Sequence, residues 1–593
     1  METTTNTKHL INGLEESVRE NLLGSVLRNG NLQLLKDGNI VVKKDFKNSI
    51  LAKNKVALIS GGGSGHEPFG VGAIGEGMLT AVVAGNIFAA PSARNILKAI
   101  RVLGSKDKDS AGVLLILNNY TGDRLNFGLA QERALLEGYK VGSVIFGEDS
   151  AFHEIKSSAG RRGLAGVVLL IKIAGALADQ FKGFDYIKAE IEKVAQNIRT
   201  ISVSLTACNI PGVGLSFILP NDELEVGLGI HGEAGIERIK MRSAMEAVEL
   251  MLNFIERDAP WNRSEMNDVK IALLINNLGG LSTFEINIIT KEAISQLQAK
   301  GFCIERVYCG AFITSFNMCG VSITVCRVDE HILHLLDAPC ASEIWQNCIS
   351  LPKKPNSNET AIFQSDSTLE IKSDCEIIDS LPFARSEFLT AVETACVKIM
   401  EAESYLNDLD SEAGDSDCGS TLSNGAKAIL NCIRKGALQP SFLQLAHIVE
   451  EVMGGTSGAI YSLLFTGASS VVSNVIANRL EVKNKVHFWY QAVDKGMDLI
   501  SKYSLAQVGD RTMLDSLNAL RTQLVLNENS TDYSTLARKI AEAVDEAANS
   551  TINMKARAGR ASYVNQERLT KADPGAKSIA IWVKAIASLF LEQ

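Results

Sequence analysis

Three segments in the first half of the chain and one acidic loop in the second carry residue types that can do chemistry. Gly61-Gly62-Gly63-Ser64-Gly65-His66-Glu67-Pro68 sets a hydroxyl and an imidazole among glycines. Such a loop is either a tight turn or a place where backbone approaches a ligand that Ser64 and His66 can hydrogen-bond. It lacks the closing Gly-Lys-Ser/Thr of a Walker A loop and is not a GxGxxG dinucleotide fingerprint. Asn118-Asn119-Tyr120-Thr121-Gly122-Asp123 ends in a carboxylate, read either as a helix N-cap or as a base that accepts a hydroxyl proton. His231 lies among glycines in GLGIHGEAG, in a chain with eight histidines. A lone histidine is commonly structural, but an oriented imidazole can add to a carbonyl carbon.

In the second half, the run Leu406–Gly419 is dense in carboxylates. Asp415 and Asp417, one residue apart on a loop, can turn toward one ion, and Asp410 lies a turn or so earlier. Magnesium prefers a few carboxylates together with phosphate oxygens and water. The competing reading is a solvated acidic turn. Glycine-bearing loops recur at Gly454–Gly458, Gly509–Thr512 and Asp573–Ala576. The N-termini of helices that follow such loops attract anions. Arg511 could pair with phosphate through its planar fork or form a structural salt bridge.

The elements around these residues divide the chain. Residues 1–350 read as α/β. Short Val/Ile/Leu runs at Val56–Ser60, Val113–Leu117, Val141–Phe146 and Ile271–Ile275 alternate with helical patterns such as Ala93–Val102 and Arg242–Phe254. This alternation predicts a largely parallel sheet with ligands at the carboxyl ends of its strands. Residues 351–385 read as a linker, because LPKKPNSNETAIFQSDSTLEIKSD is polar and proline-bearing. Residues 386–593 read as all-helical, with helical spacing at Phe388–Leu406, Ser441–Val452, Leu536–Asn549 and Ala576–Leu591.

Composition narrows the function classes. A 593-residue chain has room for several domains. Its net charge of −9 argues against a nucleic-acid binder. Eleven cysteines without a CxxC pair fit reduced thiols rather than a disulfide framework. The N-terminus has no apolar signal core, and the longest apolar stretch, Ala165–Ala178, is short and broken by Lys172. These features predict a cytoplasmic protein that neither spans a membrane nor binds nucleic acid.

Together, GGGSGHEP, NYTGDRLNFGLA, GRRGLAG, GLGIHGEAG and NNLGGLS, in this order and spacing, resemble the dihydroxyacetone kinase family. So do LNDLDSEAGDSDCG, GGTSG, GDRTMLD, GRASY and DPG in the second half. The resemblance covers nearly the whole chain and is to the single-chain animal form that also splits FAD. It implies an ATP-dependent kinase that captures dihydroxyacetone covalently, as a hemiaminal on His231. Asp123 is then the general base, and His66 polarises or positions the adduct. Gly63, Ser64 and Gly65 cradle the substrate. Asn118 stands where the family usually has a substrate-contacting lysine, and so brings a hydrogen-bonding amide without the charge.

For the second half, the resemblance implies a barrel of eight antiparallel helices binding ATP and two magnesium ions. Asp410, Asp415 and Asp417 would be the metal ligands. Asp415, Ser416, Asp417, Cys418, Thr456, Ser457, Arg511, Thr512, Asp573, Pro574 and Gly575 would line the nucleotide. Ser416 replaces a glycine, at a cost of about 1 kcal/mol if its φ is positive. Cys418 is expected to pack or offer backbone, not to act as a nucleophile. The resemblance further implies glyceraldehyde as a second substrate, FAD cleavage to AMP and cyclic FMN with Mn2+ or Co2+ as metals for it, and a homodimer. A non-catalytic sensor or interaction protein of the same fold is the competing class; such a protein should lose His231, Asp123 or the aspartates, and none is lost.

Overall fold

The computed structural model describes residues 8–152, 159–233, 235–259, 269–345, 384–478, 482, 484–504 and 506–591. The chain forms two compact units, Met1–Ile362 and Phe363–Gln593. The predicted linker 351–385 lies outside the described residues up to 383. The first helix of the second unit begins at Arg385, one residue before the expected start.

The first unit contains two six-stranded sheets. One has β1 (Leu32–Leu34), β2 (Ile40–Lys43), β3 (Ala57–Ser64), β4 (Ala81–Ile87), β5 (Val113–Asn118) and β6 (Val141–Phe146), in the order β1-β2-β4-β3-β5-β6. Its β4-β3-β5-β6 core is parallel, as the strand–helix alternation predicts. The other has β7 (Ile198–Ser204), β10 (Glu223–Val226), β11 (Glu237–Lys240), β12 (Lys270–Asn277), β13 (Cys303–Gly310) and β14 (Gly320–Arg327), in the order β11-β10-β7-β14-β12-β13. The two-residue strands β8 (Asn209–Ile210) and β9 (Gly214–Leu215) pair as a small hairpin. The second sheet departs from the expectation of a largely parallel one. Only β12 and β13, joined through a helix, run parallel; its other pairs are antiparallel. Strands buried on both faces read as continuous apolar runs whichever way their neighbours point, so the sequence pattern does not report direction.

Helices α1 (Leu14–Arg28), α2 (Ala93–Leu103), α3 (Thr121–Leu136), α4 (Val167–Asp179), α5 (Phe184–Ala195), α6 (Ala244–Asp258), α7 (Thr283–Ala299) and α8 (Glu330–Leu336) fill the layers around the sheets. Between the sheets, Leu58, Leu114 and Ile116 of one share a core with Ala272, Leu274 and Cys326 of the other, with α4 in the middle. Helix α4 is buried along Val167–Ala178. This explains the apolar stretch around Lys172, whose Nζ donates to the Leu335 carbonyl at 2.8 Å. The outer sheet faces pack on α2 and α3 on one side and on α6 and α7 on the other. Ser243 and Ser282 start α6 and α7 with capping boxes.

The second unit is helical: α9 (Arg385–Glu401), α10 (Glu403–Asp410), α11 (Cys418–Arg434), α12 (Phe442–Met453), α13 (Gly455–Ala477), α14 (Lys485–Ser504), α15 (Met513–Leu526), α16 (Tyr533–Ser550) and α17 (Pro574–Ser588). Contacts run from α9 to α11, then through each helix in turn to α17, which packs back on α9. Eight helices thus close a ring, and short α10 lies against α11 and α17. By length and composition α13 is apolar enough to cross a membrane; in this fold it is a stave between α12 and α14.

Candidate active site

The first constellation gathers at strand ends of the first unit. The β3 strand runs into Gly61–Ser64, and its glycines are where other groups come close. A Cβ on Gly65, whose φ is +103°, would meet the rings of Phe316 and Phe88 at 2.6 and 2.8 Å. Only glycine fits there. Gly63 packs on the Phe88–Ala89 backbone. The buried hydroxyl of Ser64 donates to the Gly85 carbonyl at 2.8 Å. Ser64 and Gly63 therefore shape the loop.

His66 is 4% exposed. Its Nδ1 lies 2.8 Å from the Thr314 carbonyl, and burial with the neighbouring His231 pushes its pKa down to about 3. A neutral imidazole facing a carbonyl must carry its proton on that nitrogen. Nε2 is then a bare acceptor, buried and without a partner among the described residues. The Thr314 carbonyl is placed by NNLGGLS: Asn276, at the end of β12, accepts from Phe312 and Ile313 N–H and donates to the Ile313 carbonyl.

Asp123 is the third residue of α3. The N-cap is Tyr120, which makes no side-chain cap, so the capping reading of Asp123 does not hold. Its carboxylate lies over Gly62, about 3.8 Å from where a Cβ would stand. It is 7% exposed, Oδ1 has no partner among the described residues, and burial lifts its pKa to about 7. That suits a base near neutral pH. Asn118, at the end of β5, is buried, and its Oδ1 is also unpartnered among the described residues.

His231 brings the segments together. Its ring is edge-on to His66 at 4.8 Å between centroids, to Tyr120 at 4.4 Å and to Phe88 at 5.5 Å. Burial, then the nearby Arg162 guanidinium, lowers its pKa to about 4. The ring is therefore uncharged at neutral pH, with a lone pair available for addition to a carbonyl. Tyr120, Phe88, Thr314 and Arg162 were not assigned by sequence reasoning. Arg162 and Tyr120 fall inside recognised motifs; Phe88 and Thr314 carry no sequence signal.

The second constellation lies at the end of α10 and the start of α11. Oxygen atoms of Asp410, Asp415 and Asp417 lie within 4.8 Å of one another. Asp410 is buried, the other two exposed. An oxygen-only set of three carboxylates at this separation fits magnesium. Asp410 also accepts the N–H groups of Asp417 and Cys418 at 3.2 and 3.4 Å, which folds the loop back on the helix. Ser416 has φ +62°, the strained conformation that replacing a glycine implies. Cys418 is pushed up to about 12 by burial and by Asp410, Asp573, Asp417 and Asp415; its thiol stays protonated, consistent with a packing role.

Further loops join from other helices. Asp573 caps α17 by accepting the Ala576 N–H at 2.7 Å, with Pro574 at the first helical position. Gly575 lies against Met513. Thr512 starts α15 in a capping box with Asp515. Arg511, 1% exposed with φ +63°, donates to the Lys571 carbonyl at 2.8 Å, while Nε and Nη1 have no partner among the described residues. Thr456 and Ser457 form the first turn of α13, not a loop. One turn on, Tyr461 lies near Cys418 and contacts Ser578.

Comparison with known proteins matches both halves. A Dak1 domain covers residues 23–344 and a DAK2 domain residues 412–588. The chain is 40% identical to the triokinase/FMN cyclase of Bos taurus over 99% of both chains. It is equally identical to that of Homo sapiens over 98% of both. The crystal structure of the dihydroxyacetone kinase from C. freundii in complex with AMP-PNP and Mg2+ superposes with a TM-score of 0.64 at 30% identity, covering 98% of this chain and all of that one. With two domain matches in the order the motifs require, and relatives aligned end to end, the chain belongs to the dihydroxyacetone kinase family.

Proposed function

We propose that this chain transfers the γ-phosphoryl group of ATP to a hydroxyl of dihydroxyacetone, and of glyceraldehyde. The observation that carries this reading is the meeting of an uncharged His231 ring with His66 and Tyr120, in the same strand-end cluster as an Asp123 carboxyl poised near neutrality. In this reading the His231 lone pair adds to the C2 carbonyl carbon. The carbonyl oxygen takes up a proton as the ring nitrogen loses one. The bare Nε2 of His66 accepts a hydrogen bond from the resulting hydroxyl and so orients the adduct. Asp123 takes the proton of the hydroxyl that attacks the γ-phosphorus while the bond to ADP breaks. Asn118 offers its amide to the substrate, and Gly63, Ser64 and Gly65 hold the loop that walls it.

Asp410, Asp415 and Asp417 would hold magnesium, which neutralises phosphate charge during such transfers. Ser416, Cys418, Thr456, Ser457, Arg511, Thr512, Asp573, Pro574 and Gly575 complete the nucleotide site. The two nitrogens of Arg511 that have no partner among the described residues support its reading as a phosphate or base ligand. A second activity, cleavage of FAD to AMP and cyclic FMN, is favoured by end-to-end similarity to enzymes named triokinase/FMN cyclase. It would use the aspartates alone, with Mn2+ or Co2+ as supporting metals. A cytoplasmic homodimer completes the proposal. Intact His231, Asp123 and aspartates argue against a non-catalytic sensor.

The test is ATP consumption with dihydroxyacetone beside FAD cleavage, in Mg2+ and then Mn2+. His231→Ala should abolish triose phosphorylation and keep FAD cleavage, and Asp415→Ala or Asp417→Ala should abolish both. Full triose kinase activity in His231→Ala would remove covalent capture, and either activity surviving in the aspartate variants would remove the metal assignment.

A further inference from the structure

His231 sits on a loop without regular structure, yet its ring must meet a carbonyl in one orientation. The groups that hold the loop converge on one side chain. Arg162, in the segment before α4, donates from Nη2 to the Gly227 carbonyl at 2.5 Å, where the loop begins. Its Nη1 lies 3.3 Å from Glu233 Oε1, where the loop ends. The other oxygen of Glu233 accepts the His231 N–H at 2.9 Å. Nε of Arg162 donates to Asp149 at 2.8 Å, and Nη2 lies 2.6 Å from the same carboxylate. Asp149 is fully buried, and the guanidinium stacks on the Phe152 ring at 4.5 Å.

We propose that Arg162 is a positioning residue for the His231 nucleophile: its fork pins both ends of the Gly227–Glu233 loop, so that the imidazole meets the triose carbonyl in one orientation. This rests on the reading of His231 as the group that captures the triose. Planar geometry is the reason for arginine. One guanidinium reaches a carbonyl and two carboxylates in fixed directions, which an ammonium on a flexible stem does not reproduce.

Among the described residues, the charged and titratable groups around His231 are His66 from the β3 loop, Tyr120 from the β5–α3 turn, Cys208 packed on Gly232, Glu233 on its own loop, and Arg162, with Asp149 and Glu148 behind it. Arg162 is the sole cation among them while His66 is neutral. A positive neighbour disfavours imidazolium, so removing it raises the proton affinity of His231.

The experiment uses the full chain and [2-13C]dihydroxyacetone without ATP. Capture moves the C2 signal from the carbonyl to the sp3 region, and the His231 ring proton, assigned by its loss in His231→Ala, is titrated in parallel. Arg162→Gln should raise the His231 midpoint by about one pH unit and weaken capture roughly tenfold. Arg162→Lys, which keeps the charge and loses the fork, should leave the midpoint in place and still weaken capture. If wild-type protein gives no sp3 signal, the His231 reading itself falls. If the signal forms and Arg162→Gln changes neither midpoint nor affinity, the role of Arg162 alone is refuted. Should Arg162→Gln not fold, wild-type capture by Arg162→Lys refutes the clamp.

Discussion

The Asp123 carboxyl makes a prediction in which function and stability pull in opposite directions. Burial lifts its pKa from 3.8 to about 7. Between those values the folded chain holds a proton that the unfolded chain has released. The carboxyl's contribution is therefore complete below pH 3.8 and is lost as pH rises to about 7. The full displacement corresponds to about 4 kcal/mol. Asp123→Asn keeps the shape and cannot ionise, so it escapes this loss. Its stability advantage over wild type should grow by about 2.5 kcal/mol between pH 5 and pH 8. Comparing the two pH values cancels any fixed effect of the amide. The measurement is denaturant unfolding of the full-length wild type and variant at both values, following the transition that the substitution displaces. Asp123→Asn should also lose triose phosphorylation, and wild-type kcat/KM should fall as pH drops below about 7. An advantage independent of pH would show that Asp123 ionises freely in the fold, and the argument for a poised base would fail.

Three further expectations follow from local geometry. A Cβ on Gly163 would come within 2.5 Å of Asn118 Oδ1 and 2.6 Å of the Phe146 carbonyl, so Gly163→Ala should destabilise by about 1–3 kcal/mol and raise the KM for dihydroxyacetone in steady-state assays. Asn118→Lys should change the KM for dihydroxyacetone, since it puts a cation in place of a buried amide whose oxygen has no partner among the described residues; unchanged kinetics would remove Asn118 from the substrate contacts. Ser416→Gly relieves a φ of +62° and should stabilise the acidic loop by roughly 0.5–1 kcal/mol, visible as a small rise in Tm without loss of metal-dependent activity.

Much of this was legible locally. Strands β5 and β6 and helices α2, α12 and α16 lie within a few residues of their apolar patterns, because period and capping residues are short-range signals. Ser441 and Asp573 start α12 and α17 as N-caps whose side chains accept the Gln444 and Ala576 N–H groups. The strained φ at Ser416 was readable from the glycine it replaces. Less local features were not. Phe388–Leu406 reads as one helix, but the chain breaks at Ala402 between α9 and α10, where no proline or glycine announces it. For Asp123 the sequence leaves cap and base both open, because a carboxylate before a helical stretch is often a cap. Tyr120 takes the cap position instead, in a turn tied to the end of β6 by the Asn119 N–H donated to the Phe146 carbonyl at 2.8 Å.

The sequence by itself determined which groups are present and how each local stretch folds: the α/β and helical halves, the glycine loop, the acidic loop, and the imidazoles and carboxylates within them. Only the tertiary structure decided what those groups became. It brought His66, Tyr120 and His231 into ring contact from distant stretches of chain, fixed the His66 tautomer through the Thr314 carbonyl, and tied the His231 loop to Arg162. It also closed the helical ring by packing α17 on α9. The reason is desolvation and proximity: proton affinities and orientations are set by water removed and charges brought near, and both depend on residues far away in sequence.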